Sequence, residues 1–454
     1  MTSVPMTYRQ HTKAVLVLGL PLIGGQVAQF AIGMTDTIMM GWYGVPELAA
    51  LTLATSVFFV LFLLGSGFAF ALMPLVATFA AQEDETQIRR ATRMALWWSI
   101  GYFVLVMPIL WFSEPILLSL GQEDGTARLA QQYLRIAGWG MLPGLGMMVL
   151  RNYLSALEHA SVVLWVTIAA VLVNVVANYA LIFGNFGLPR LGIDGAAIAS
   201  IVAQSLMLLL VVQYAIKVLP EHQLFVRFWN PDREMLVKIF AIGLPIGLTT
   251  LAESSLFSGA AMLMGTLGEV PLAAHGVVLN LAALTFMLQL GLSQAATVRA
   301  GNALGRGDAP HLQAGAKVVI VLSLVGVALS MVLFLSFPDQ LINLFLSPDE
   351  PKRMAILEIG RVLLVMAVLF QLVDAMQVVH LGFLRGLHDT GIPMVVAVIS
   401  YWGIGFPAAW LFGTQMGFEG VGVWSGLVLG LSVAALLLGW RFWTWGTSQV
   451  KPVS

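Results

Sequence analysis

The chain contains no cysteine. That excludes a disulfide framework, a thiolate metal site and a cysteine nucleophile. It is also poor in charge: only 10% of its 454 residues are Asp, Glu, Lys or Arg, against about 25% in soluble domains. The net charge of −1 gives no electrostatic reason to expect a nucleic-acid partner. The phosphate-binding pattern G-x-x-x-x-G-K-[ST], the dinucleotide pattern G-x-G-x-x-G and the zinc pattern H-E-x-x-H are all missing. Nucleotide drive within the chain and metalloprotease chemistry therefore have no support. The glycine-containing stretch from Gly301 to Gly307 lacks the lysine and helix of a phosphate loop, and reads as a turn. No cofactor and no enzymatic activity are expected. No cleavable signal peptide is expected either. The first apolar run, from residue 14 to residue 40, is too long for a signal h-region and has no small-residue cleavage site.

What the chain has instead is apolar sequence. Hydrophobic residues make up 59% of it, and mean hydropathy is +0.89. The apolar residues fall into runs of about 20 or more, enough to cross roughly 30 Å of hydrocarbon as helices. These runs are residues 14–40, 49–81, 92–112, 129–154, 162–183, 193–219, 236–264, 272–298, 315–337, 355–384, 392–412 and 418–443. The short alternating segments of a membrane β-barrel are not seen. The expected class is an all-α polytopic membrane protein with twelve transmembrane helices, since lipid requires each span to satisfy its own backbone.

Basic residues orient the spans. With both termini inside, sixteen Lys and Arg fall on the inner side and six on the outer side. The positive-inside rule then places both termini in the cytoplasm. The longest polar connection runs from Lys217 to Lys238 and divides the chain near its middle. On either side of it the sequence repeats. Gly19-Leu20-Pro21 returns as Gly243-Leu244-Pro245, and Met40-Gly41 returns as Met264-Gly265, both at an offset of 224. Two six-helix halves of equal orientation follow: residues 1–220, a cytoplasmic linker at 221–235, and residues 236–454. Parallel repeats of this kind imply a cleft between halves and alternating access by rocking. Pro21 and Pro245 sit at equivalent places and are expected to bend their helices.

Three carboxylates lie inside apolar runs: Asp36, Glu253 and Asp374. A charged side chain at the bilayer centre costs roughly 2.5–3.5 kcal/mol on insertion scales, so each is a functional-site hypothesis. Gln26, Gln29, Gly33, Asp36 and Met40 follow one another at steps of three and four, which places them on one helix face. Asn174 and Asn178 lie one turn apart in the fifth run and can ligate a cation or accept from a protonated Asp36. Thr249, Thr250, Ser254 and Ser258 surround Glu253, and Gln371 and Gln377 flank Asp374. Glu253 and Asp374 are the pair expected to share a proton or ligate a cation. His275 and His380 read as interior polar residues, because two isolated histidines make no metal site.

Taken in order, Gly19-Leu20-Pro21, the segment from Asp36 to Gly41, the segment from Pro245 to Glu253, Asp374 and Leu384-Arg385-Gly386 resemble the multidrug and toxic compound extrusion (MATE) family, in its bacterial NorM-type branch. The resemblance covers almost the whole chain. It implies a monomeric cation-coupled antiporter in the lipid bilayer of the bacterial inner membrane that exports organic cations and amphipathic drugs. It implies cation-coupling roles for Glu253, Asp374 and Asp36. Asn174, Asn178, Gln371, Gln29 and Thr250 would supply substrate or supporting polar contacts. Glu253 and Asp374 would ligate a metal ion only if the coupling ion is Na⁺. Phe370 stands where some sodium-using relatives have a tyrosine, so Na⁺ and H⁺ both stay open. A flippase for a lipid-linked sugar, from the same superfamily, is the alternative. Its anionic cargo would call for Arg or Lys lining the cleft, and nearly all basic residues here lie in loops or near helix ends.

Overall fold

The computed structural model describes residues 6–346 and 350–451. Every regular element among them is helical. Eleven helices are long and apolar enough to cross a membrane. We number the spans α1 (Tyr8–Tyr43), α2 (Pro46–Ala81), α3 (Glu85–Trp111), α5 (Ala160–Phe183), α6 (Ile193–Val218), α7 (Arg233–Thr266), α8 (Glu269–Arg306), α9 (Ala309–Ser336), α10 (Arg353–Gly386), α11 (Gly391–Gln415) and α12 (Glu419–Gln449). The remaining one, α4, is not continuous. It runs as Asp124–Ala137, tightens into a 3₁₀ turn over Gly138–Gly140, and resumes as Met141–Ala156. Sequence expects one unbroken run at 129–154. Two glycines around Trp139 and a proline at 143 explain why the helix changes pitch there.

The repeat is visible in the backbone. Asp84 caps α3 by accepting from the Gln87 amide at 3.0 Å. Asp308, 224 positions on, caps α9 by accepting from the His311 amide at 2.9 Å. A side-chain oxygen at this position satisfies an amide that the first helical turn leaves unpaired. Glu83 and Gly307, just before these caps, both adopt positive φ. Glu158 and His388 match likewise at an offset of 230, as do Gly187 and Gly417.

Packing divides the chain into two units. One is Gly24–Gly247; the other is Leu248–Ser454 together with the leading residues up to Ile23. Each division falls two residues beyond a proline, Pro21 in α1 and Pro245 in α7. In the Gly24–Gly247 unit, α5 lies along α6 and both parts of α4 pack on α2. The first half of α7 is held there by close approach. A Cβ on Gly67 of α2 would stand 2.3 Å from the Gly243 carbonyl oxygen, so only glycine permits the two backbones to meet.

The connection before α7 is fastened to α3 of the same unit. Arg89 Nε donates to the His222 carbonyl at 2.9 Å. Arg93 donates to the carbonyls of Val226 and Arg227 at 2.6 and 2.9 Å. Trp97 and Trp98 donate through their indole N–H to Phe228 and Leu236 at 2.8 and 3.0 Å. Arg90 pairs with Asp232 and Glu234. Its guanidinium holds the Asp232 carboxyl below the usual carboxylate range. The sequence places these charges on one side of the membrane and gives no sign that they grip the linker.

In the other unit, α10 is the central helix, packed along α8, α12 and α9. Ser293 of α8 donates to the Val378 carbonyl at 2.6 Å, and Thr297 to the Gly382 carbonyl at 2.9 Å. That contact requires glycine: a Cβ on Gly382 would lie 2.5 Å from the Ser293 carbonyl oxygen. Asp374 is buried because its helix is surrounded.

Candidate functional site

Each unit carries its own buried acidic cluster. In the Gly24–Gly247 unit the centre is Asp36, one of the few buried carboxylates, 8% exposed. Asn178 Nδ2 donates to its Oδ1 at 2.6 Å and Asn174 Nδ2 to the same oxygen at 3.2 Å. Ser200 of α6 donates to Oδ2 at 2.7 Å. Asn178 also donates to Asn174 Oδ1 at 3.2 Å. Both asparagines are fully buried. Three donors converge on one carboxylate, so the site is organised around its charged form. Asn178 Oδ1 remains a buried acceptor without a partner among the described residues. The Tyr133 phenol of α4 is within electrostatic reach of Asp36.

The structure therefore brings Asn174 and Asn178 onto Asp36. It does not bring Gln29, which is half-buried further along α1. Ser200 is the residue that sequence reasoning missed. A serine in a membrane helix is unremarkable by itself, and only the packing of α6 on α5 identifies it.

In the second unit the centre is Glu253 of α7 with Asp374 of α10. The two carboxyls interact electrostatically, and Arg385 and Tyr401 interact with Glu253 in turn. Asp374 is 3% exposed. Glu253 is half-buried as a residue, with its Oε1 out of contact with solvent. Glu253 Oε1, Asp374 Oδ1, Gln377 Oε1 and Ser400 Oγ are all buried without a hydrogen-bond partner among the described residues. Buried polar atoms are ordinarily paired, so the unpaired oxygens of the interacting Glu253 and Asp374 carboxyls are able to take a further partner. Gln371 is buried beside Asp374 on the same helix, its Nε2 likewise unpaired. Thr250 lies half-buried one turn before Glu253.

Tyr401 is the second residue that sequence reasoning missed. It is fully buried, and its hydroxyl accepts from Gln377 Nε2 at 2.6 Å. Its placement depends on a π-helical stretch, Ile399–Gly405, in the middle of α11. Pro407 follows and has no amide hydrogen to donate back into that stretch. Next to Tyr401, Trp402 Nε1 donates to the Ala252 carbonyl and to Ser255 Oγ, each at 3.2 Å. This fastens α11 to the turn of α7 that carries Glu253. Phe370, by contrast, is a packing residue: it meets Phe257 and Trp424 edge-on at 5.7 and 5.6 Å. Trp424 also donates to His275 Nδ1 at 3.1 Å, and His380 Nδ1 is paired with the Met376 carbonyl at 2.6 Å.

A chain whose described residues form this many apolar helical spans, with acids buried in each of two units, is a multi-pass membrane protein. The family model MatE matches residues 21–180 and 245–411, and the chain belongs to that family of transporters. It is 48% identical over 435 residues to the probable multidrug resistance protein NorM of Rhizobium meliloti, covering 95% of this chain and 93% of that one. It is 46% identical to the protein of the same name from Agrobacterium fabrum, with the same coverage. Among solved structures, a MATE crystal structure in complex with MaL6 superposes with a TM-score of 0.88 at 20% identity, covering 97% of each chain. An outward-facing multidrug resistance MATE family transporter superposes at 0.87 and 21% identity, covering 98% of this chain and 97% of that one. These two likenesses concern the fold.

Proposed function

We propose that this protein is a cation-coupled multidrug antiporter, working by alternating access in a bacterial inner membrane with both termini in the cytoplasm. The observation that carries the reading is the Glu253–Asp374 pair, whose Oε1 and Oδ1 are buried and unpaired among the described residues. Gln377 Oε1, one turn beyond Asp374 on α10, is a further buried unpaired oxygen. Such a donor set suits a proton or a hard cation such as Na⁺. The relatives are named probable multidrug resistance proteins, which supports drugs as the cargo; organic cations and amphipathic drugs are the class that the family resemblance implies. In the cycle, drug enters from the cytoplasm or the inner leaflet. H⁺ or Na⁺ arriving from outside neutralises the carboxylates and drives release. One positive charge moving inward yields about 2.3 kcal/mol per 100 mV, or roughly 50-fold accumulation of an uncharged substrate. The chain acts as a monomer, and besides its substrates the lipid bilayer is its partner.

The test uses proteoliposomes with the purified protein and ethidium. A Na⁺ gradient and a pH gradient are imposed separately, on wild type, Asp36→Asn, Glu253→Gln and Asp374→Asn. One of the gradients moves dye in wild type, and each variant loses that movement while still inserting in the membrane. Dye movement equal to wild type in all three variants would remove the carboxylates from the mechanism. No movement by folded wild type under either gradient would overturn the antiporter reading.

A further inference from the structure

The first residues of α1 carry a second titratable group of side chains, far along the helix from Asp36. His11 is 1% exposed and Arg299 of α8 is 9% exposed. One guanidinium nitrogen, Arg299 Nη2, lies 2.9 Å from His11 Nδ1 and 2.9 Å from Nε2 of His311, at the start of α9. The two imidazole rings stand 4.6 Å apart at 55°. Arginine has donors and no acceptor, so each facing imidazole nitrogen must present a lone pair. Both histidines are therefore neutral in this arrangement, with their remaining ring nitrogens carrying the hydrogen. The two hydrogens of Nη2 suffice for the two bonds.

Protonating either ring turns its acceptor into a donor that faces an N–H, and sets two positive charges against each other. The other charged groups that face the pair are Asp308, from the turn that caps α9, and Arg306 of α8. Asp308 acts on both rings, but it already accepts from the His311 amide. Space at the junction is tight: a Cβ on Gly315 of α9 would lie 3.6 Å from His11 Nδ1 and 3.8 Å from Arg299 Nε.

What the cluster holds is the leading part of α1. Residues up to Ile23 pack with the Leu248–Ser454 unit, whereas the rest of the helix, with Asp36, packs in the Gly24–Gly247 unit. Pro21 lies just before that division, where the helix lacks an amide hydrogen. We propose that His11, Arg299 and His311 form a proton-operated latch that fastens the start of α1 to α8 and α9 while both histidines are neutral, and releases it on acidification. The latch is separate from the carboxylate clusters. On the orientation set by the charge bias, it responds to the pH of the cytoplasm and not to that of the outer medium.

The absence of cysteine gives a direct test. Lys13→Cys places a single thiol on an exposed position of α1, to which a nitroxide is attached in the purified full-length protein. The mobile fraction of its spectrum rises as pH is lowered from 8 to 5. The ratio of latched to released chain changes by up to roughly tenfold per pH unit for each proton taken up. The double substitution His11→Gln, His311→Gln keeps a neutral acceptor opposite Arg299 and gives an immobile, pH-independent spectrum. His11→Lys mimics the protonated ring and is mobile already at pH 8. A wild-type spectrum unchanged between pH 8 and 5 would overturn the latch. So would a wild-type pH response that survives in the double glutamine variant.

Discussion

At the scale of single residues, the two acidic clusters differ in how completely their partners are supplied. Asp36 has three side-chain donors, and one of them, Ser200, reaches its second oxygen alone. Hydrogen bonds to charged groups contribute about 1.5–3 kcal/mol. Ser200→Ala is therefore expected to lower drug transport at least several-fold with the protein still in the membrane, and Ser200→Thr to restore most of it. Dye efflux in proteoliposomes checks both. Much of the Asp36 site is legible in the sequence, because Asn174 and Asn178 are four apart on a helix and a buried acid needs donors. The Glu253 site is less so. Its acids stand out, but Tyr401 looks like any aromatic near a span, and Arg385, though part of the family-like Leu384-Arg385-Gly386, gives no sign of acting on Glu253. Helical periodicity does not bring either of them to Glu253; the packing of α10 and α11 does.

At the scale of elements, α10 matters most, since it carries Asp374, Gln371 and Gln377 and is gripped by α8. The grip depends on Gly382, whose place a larger side chain can take only by driving two backbones apart. Overpacking of this kind costs about 1–3 kcal/mol. Gly382→Val should lower the thermal midpoint of the purified protein clearly, and Gly382→Ala should lower it less. Equal midpoints for Gly382→Val and wild type would show that α8 and α10 have slack there. The twelve spans themselves are legible because lipid enforces length and apolarity. The changes of pitch inside them are not. The 3₁₀ turn at Gly138–Gly140 and the π-helical stretches at Ile399–Gly405, Leu411–Gln415 and Phe442–Gly446 leave no mark in hydropathy, and close approach between backbones accompanies some of them. Gly405, for example, stands with its Cα against Gly430.

At the scale of the whole molecule, stability carries a pH dependence that starts in the connection before α7. Burial pushes the His222 imidazole below its ordinary value, and the ring is engaged with the Tyr153 hydroxyl. The unfolded chain then binds this proton more readily than the folded one. Stability should fall as pH drops below about 6.5 and flatten below the folded-state value. Replacing His222 with Gln is expected to shrink the loss of thermal midpoint between pH 7.5 and 5; an unchanged loss would place its origin elsewhere. The division of α1 between units also has a consequence for how the chain is made. His11 leaves the ribosome near the start, and Arg299 follows 288 residues later. At about 5–20 residues per second, that is a wait of roughly 15–60 s. For most of that interval, until the chain from Leu248 onward is made, the first stretch of the protein is already synthesised and has nothing of its own unit to pack against.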